Sequence, residues 1–254
     1  MRSPTPVSPI PILYRGGSGS FPRKEIHPQA REAAIKALEL DDTLAEAHNA
    51  LATVKRDYDW DWSGAEREYK RAIELSPNYA NAHQWYGELL MALQKKQESS
   101  AEINRAQELD PLSPVINVEK GTTFLYAEGR ADLALEQLQK ARALDPNFPQ
   151  LHWALGLLHL WKGEVAGATA EFQTAVTLSP GITMYKGGLG HAYARAGQTS
   201  EARRLLRELS DLSTEVRVRN RFCFHLHRPG RKGPCVRISG KSLPAARSQA
   251  YHLA

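Results

Sequence analysis

The chain is expected to be all-α: a right-handed superhelix of antiparallel helix pairs stacked one on the next, with disordered ends. Three observations predict this. Helix-forming stretches end four times at a proline in nearly constant phase, at Pro77, Pro111, Pro146 and Pro180, with intervals of 34, 35 and 34 residues. Each proline closes a similar run, such as Arg71-Ala72-Ile73-Glu74-Leu75-Ser76-Pro77 or Lys140-Ala141-Arg142-Ala143-Leu144-Asp145-Pro146. Proline has no N–H and disfavours helix in the residue before it, so each one stops a helix. Between the prolines, small and bulky apolar residues recur at helical spacing, as in helices that bury one face.

Taken in order, the elements begin with Ala30, Ala34 and Ala37, which match a second helix without a complete first one and define a partial repeat over 21–44. The repeat 45–79 carries Leu51-Ala52, Ala65, Tyr69, Ala72 and Pro77, with one extra residue in its turn. The repeat 80–114 carries Tyr86-Gly87, Leu90, Ser99, Ile103, Ala106 and Pro111. In 115–148 the positions read Gly121-Thr122, Leu125, Gly129, Ala134, Leu138, Ala141 and Pro146. In 149–182 they are Leu155-Gly156, Gly163, Ala168, Phe172, Ala175 and Pro180. The last repeat, 183–213, has Leu189-Gly190, Tyr193, Gly197, Ala202, Leu206 and Leu209, where the pattern lapses. Small residues (Gly156, Ala168, Ala175) belong where two backbones approach, and Leu155 and Phe172 fill the space between helices. Gly163 suits a turn with positive φ, which glycine adopts at least cost. Period and punctuation together resemble the tetratricopeptide repeat, a helix–turn–helix unit of 34 residues by its general description. The resemblance implies a protein-binding array.

A second resemblance is narrower. Tyr58-Asp59-Trp60-Asp61-Trp62 followed by Gly64-Ala65-Glu66-Arg67-Glu68-Tyr69, and Leu109-Asp110-Pro111-Leu112-Ser113-Pro114 with Ile116-Asn117, are similar to tetratricopeptide regions of bacterial multidomain regulators. In that group the array follows a winged-helix DNA-binding, serine/threonine kinase or nucleotide cyclase domain. The resemblance spans about Phe21 to Ser213 and implies no catalytic residues, because the group's chemistry lies in those other domains. Trp60 and Trp62 are expected to pack across the repeat junction, with a ligand-binding aromatic clamp as the alternative.

The ends differ in composition from the body. Residues 214–254 hold nine Lys/Arg against Glu215 alone, and residues 1–24 add four Lys/Arg and no acid. The whole chain is +5, so the body Glu25–Ser213 carries −7. The basic balance is thus a property of the ends, and nucleic acid is disfavoured as a partner on net charge. Residues 1–20 and 214–254 are expected to be disordered and partly out of frame. Back-translated and read one nucleotide earlier, Thr5–Tyr14 can spell a credible repeat helix, and Phe222–Pro244 behaves likewise one nucleotide later. Codon degeneracy permits coincidence. Cys223, His225, His227 and Cys235 are zinc-ligand types, but their spacing fits no familiar site.

No metal, cofactor or catalytic residue is expected. His48, His83, His152 and His191 lie in different first helices, without a nucleophile or carboxylate dyad at a telling spacing. Gly187-Gly188 and Gly190 fall inside a helix, where small residues serve packing rather than phosphate binding. No stretch is apolar enough to span a membrane, and a cytoplasmic location is the default. The expected function is a scaffold that binds a partner peptide or helix in a concave groove lined by first helices. Positions two, five, nine and twelve of the first helices supply the candidates. They are Asn81, Gln84, Glu88, Glu119, Thr123, Gln150, Trp153, Leu157, Trp161 and His191. Trp153 and Trp161 are either hot spots or wedges between repeats. The acidic body calls for a basic or amphipathic partner. Two other readings remain: a non-autonomous sensor fragment of a transcriptional regulator or kinase, and nucleic-acid binding through the basic tail.

The composition predicts that protease removes Met1–Ser20 and Thr214–Ala254 first, while the body resists. Uniform hydrogen-exchange protection across Arg219–Ala246 would contradict it.

Overall fold

A computed structural model describes residues 23–215, with side chains described over residues 27–210. The readings placed on residues 1–20, on the zinc-ligand types and on the basic tail therefore lie outside the described residues. Within them the chain forms eleven helices: α1 Arg23–Leu40, α2 Ala45–Val54, α3 Trp62–Leu75, α4 Ala80–Ala92, α5 Lys96–Leu109, α6 Pro114–Thr123, α7 Ala131–Leu144, α8 Pro149–Lys162, α9 Val165–Leu178, α10 Thr183–Arg195 and α11 Thr199–Glu215. Consecutive helices pair as α2/α3, α4/α5, α6/α7, α8/α9 and α10/α11, and α1 packs on α2 as a second helix without its partner. Each first helix also touches the next one: α2 meets α4, α4 meets α6, α6 meets α8 and α8 meets α10. The second helices of successive pairs lie further apart. The array therefore curves with its first helices on the inner side.

Close approach within each pair rests on a missing side chain. A Cβ built on Gly87 would stand 2.8 Å from Ile103 Cδ1, one on Gly121 2.9 Å from Leu138 Cδ2, and one on Gly156 2.7 Å from Phe172 Cε1. Ala52 holds the same place in the first pair, fully buried against Ala65 and Tyr69. The bulky partners Tyr69, Ile103, Leu138 and Phe172 are all buried, as are Ala72, Ala106, Ala141 and Ala175 one turn further along the second helices. This is the packing that the spacing of small and large residues predicts. Helix starts are also locally encoded. Asp61 accepts a hydrogen bond from the Gly64 N–H at 2.9 Å, and Pro114 and Pro149 stand in first turns where no N–H is needed.

The turns show where the phase departs from expectation. Gly129, Gly163 and Gly197 have φ of 69°, 84° and 76°, in the left-handed region. The equivalent places in the first two pairs are held by Trp60 at φ 60° and Gln94 at φ 63°. Ahead of two of these turns the first helix widens into a π-helical segment, Lys55–Asp59 after α2 and Phe124–Glu128 after α6. Each absorbs one extra residue. The first was expected as a longer turn; the second was not foreseen. Its consequence is a register shift: the third repeat begins at Pro114, not at residue 115, and Gly121 rather than Thr122 is the counterpart of Gly87.

Trp60 and Trp62 also differ from expectation. Expected to pack across the repeat junction, they are 42% and 38% exposed. Local charge fixes their surroundings: Arg31 of α1 pairs with Asp59 and lies 5.8 Å from the Tyr58 ring centroid, and His27 stacks on that ring. At the other end Leu205 is buried, whereas Leu206 is 49% exposed, as expected of a second helix with no further repeat over it among the described residues.

Ala141 and Ala175 are fully buried at helix contacts. Ala141→Leu or Ala175→Leu should each lower stability by about 1–3 kcal/mol through overpacking. Denaturant melts that leave both unchanged would show the repeat phase to be wrong.

Candidate functional site

The inner face is set by a polar clasp that recurs in every pair. His48 Nδ1 lies 2.7 Å from Glu68 Oε2, and its Nε2 lies 3.1 Å from the Asp42 carbonyl oxygen. His83 repeats this with Glu102 at 2.6 Å and the Pro77 carbonyl at 3.0 Å, and His152 with Glu171 at 2.7 Å and the Pro146 carbonyl at 2.9 Å. In the third pair Asn117 takes the place of the histidine: its Nδ2 donates to the Pro111 carbonyl at 2.9 Å, while its Oδ1 accepts from Gln107, which also donates to Gln137. In the last pair Lys186 pairs with Glu208. Four of the clasps tie the fourth residue of a first helix directly to its own second helix, and in the third Asn117 reaches α7 only through Gln107 of α5; the first four also engage the preceding loop. The clasp thereby fixes the helix about its long axis. His48 and His83 are thus structural, engaged by hydrogen bonds within the fold.

With the clasp residue as reference, the next residue and the one four further on turn to the inner side. They are Asn49 and Thr53 on α2, Gln84 and Glu88 on α4, Val118 and Thr122 on α6, Trp153 and Leu157 on α8, and Gly187 and His191 on α10. Two expected residues, Glu119 and Thr123, are one position late because of the π segment. Thr123 is buried and is not a groove residue. Glu119 still reaches the groove, where its carboxyl lies within hydrogen-bonding reach of Glu88. Gln84, only 2% exposed, and Leu157, part of the core cluster, are also buried rather than presented on a surface. Asn81, Gln150 and His191 are half-buried, and Trp153 and Trp161 pack one side against the core cluster while keeping part of their surface open.

The N-terminal half of the groove is electrostatic. Arg56 Nη1 donates to Glu88 Oε2 at 3.0 Å and to the Trp85 carbonyl at 3.3 Å, and Arg56 Nε donates to Asp57 Oδ1 at 2.7 Å. Its guanidinium carbon stands 5.2 Å from the Trp85 ring centroid. The Glu119 carboxyl accepts from Thr122 Oγ1 at 3.4 Å. Desolvation, with the charge of Glu119 second, pushes the Glu88 carboxyl well above its ordinary range, and desolvation also raises Glu119. The C-terminal half is aromatic: Tyr126, Trp153 and Trp161 pack against the core cluster. Here polar atoms are closed off without a hydrogen-bond partner, Tyr126 Oη and His191 Nε2, as is Gln84 Nε2 nearer the acids. Burial raises the Tyr126 phenol, and burial with Arg195 nearby lowers the His191 imidazole.

Arg56 and Tyr126 were missed as site residues. A signal for both existed, because each stands at position twelve of its repeat in the sequence phase. Among the described residues no group of three or more His, Cys, Asp or Glu side chains could hold a metal ion, and no helix is long and apolar enough to cross a membrane.

The clasp gives a pH-dependent stability with a defined sign. Burial alone would depress the His83 imidazole, but the hydrogen bond to Glu102 and the Pro77 carbonyl hold it above its ordinary value. Stability from a raised imidazole is fully present below the unfolded value of about 6.5 and is lost as pH rises through the folded value. The stability advantage of the wild type over His83→Gln should therefore shrink as pH rises through that window. Denaturant melts across pH that show a constant or growing gap would contradict it.

Known proteins resemble the chain in sequence over parts of its length and in fold over most of it. A family model described as a tetratricopeptide repeat matches residues 61–114, and one described as a TPR repeat matches residues 125–163. No curated protein matches the sequence. Among solved structures, a chain of the APC/C hetero-tetramer Cut9–Hcn1 superposes with a TM-score of 0.69 at 20% identity over 82% of this chain, which spans 40% of that one. PilW, a type IV pilus biogenesis factor, matches with a TM-score of 0.60 at 19% identity, covering 81% of this chain and 91% of its own. PilF of Pseudomonas aeruginosa gives 0.56 at 21%, covering 81% and 89%. Identities this low speak for the fold alone.

Proposed function

We propose that this tetratricopeptide-repeat chain is a protein-interaction scaffold that holds a peptide or helix of a partner protein on the inner face formed by α2, α4, α6, α8 and α10. The observation that carries the reading is the lining of that face. Two carboxyls and an arginine occupy one half, and partly open tryptophans the other. Exposed tryptophan surface next to half-buried charge is the composition of binding hot spots. The acidic body favours a basic or amphipathic segment, and its binding should weaken with salt. Such a role needs no catalytic group and fits the cytoplasm.

The resemblance of Tyr58–Trp62, with its exposed aromatics, favours a second reading. In it the array is the sensor part of a bacterial transcriptional regulator or serine/threonine kinase. An output domain encoded next to the array would support that reading.

The test is a random peptide library displayed on phage and selected against the whole chain. Selected peptides should lose about tenfold in affinity, or ~1.4 kcal/mol, on Trp161→Ala and on Gln150→Lys. Arg105→Ala, on the outer side of α5, should leave affinity and helicity unchanged. Peptides that ignore both groove changes and respond to the outer one would overturn the reading.

A further inference from the structure

We propose that the Glu88–Glu119 pair is the receptor for a lysine or arginine side chain of the partner, and that it takes up this cation by giving up a proton. The inference rests on the groove reading above and names the chemistry of its N-terminal half.

The geometry supplies both halves of the exchange. Two carboxyls within hydrogen-bonding reach of each other, on neighbouring first helices, hold together only if one is protonated. One oxygen of Glu88 already accepts from Arg56 Nη1, and Glu119 accepts from Thr122 Oγ1. The helices that carry them, α4 and α6, are in contact. Charge accounting gives the direction. Arg56 is matched by Asp57, with which it shares a two-pronged contact at 2.7 and 3.2 Å. With one proton between them, the two glutamates carry a single negative charge that Arg56 satisfies only in part. A guanidinium or ammonium group entering the pair replaces the proton, which leaves to solvent. The pair then carries two negative charges against the new positive one.

An independent observation places a ligand here. Gln84, one turn before Glu88 on the same face of α4, is 2% exposed, and its Nε2 donor has no hydrogen-bond partner. A buried amide donor left unsatisfied costs free energy that a partner's carbonyl or carboxylate would recover. A peptide carries such a carbonyl beside every basic side chain.

Besides each other, the charged groups that act on the pair are Arg56 and Asp57. Arg56 and Asp57 come from the π-helical segment Lys55–Asp59 that follows α2, and Tyr69 of α3 is near enough to act on Arg56. The acid of α5 nearest α4, Glu102, is engaged by His83. Burial keeps both carboxyls above their ordinary range.

The test selects a random dodecapeptide library on phage in parallel against the wild type and against the double variant Glu88→Gln/Glu119→Gln, with the whole chain in each arm. The wild-type pool should be enriched in Lys or Arg. By calorimetry, the affinity of its peptides should rise with pH, by up to about tenfold per pH unit, with proton release on binding. The double variant should melt like the wild type or later, lose the preference for Lys and Arg, and bind its own peptides without pH dependence. Groove-bound peptides without a basic residue would overturn the cation receptor and leave the scaffold reading intact. So would basic peptides whose affinity ignores pH and survives the double change. Peptides that bind away from the groove would overturn both.

Discussion

What the groove presents depends on how each first helix is turned against its own second helix, and that turn is held by two contacts one helical turn apart on the same face. One is steric. Gly87, Gly121 and Gly156 have no Cβ, and their partners Ile103, Leu138 and Phe172 fill the space that a Cβ would need. The other is polar, the clasp from His48, His83, His152 or Lys186 to the second helix, which Asn117 makes only through Gln107. A helix held at two successive turns of one face resists rolling, so the remaining faces are determined. A groove built this way is rigid in its backbone and varied only in its lining, which suits recognition by preorganised contacts.

The same arrangement explains why the groove can hold charge at unusual cost. Carboxyls on two first helices are brought together because those helices touch, and Arg56 reaches both its neighbour Asp57 and Glu88 across the junction. Burial of ionised groups without full pairing is expensive, which pushes both carboxyls above their ordinary range, and Gln84 Nε2 stands without a hydrogen-bond partner. These are local costs to folding that a bound segment would recover.

Much of this was legible in the sequence. Four prolines in phase fixed where second helices end, and small residues at recurrent positions marked the close contacts that the structure shows at Ala141, Gly156, Ala168 and Ala175. The groove was legible only in part. A π segment adds a residue without any signal in composition, since Phe124–Glu128 reads as ordinary helix. Counting back from the turn glycine Gly129 therefore misplaced the first helix by one residue, which put Thr123 on the groove when it is buried. Trp60 and Trp62 failed for a different reason. Large aromatics are usually buried, but here the turn places Trp60 in a left-handed conformation and the following helix start leaves Trp62 at the surface.

The account stands or falls on whether the missing Cβ and its bulky partner act as one unit. A double-mutant cycle of Gly156→Ala with Phe172→Leu tests it directly. Both single changes should destabilise, the first by crowding and the second by loss of burial. Together they should cost less than their sum, with a coupling of about 0.5–3 kcal/mol. Strictly additive effects would mean that the first helix is not set by this contact, and the inner face would then be oriented by something else.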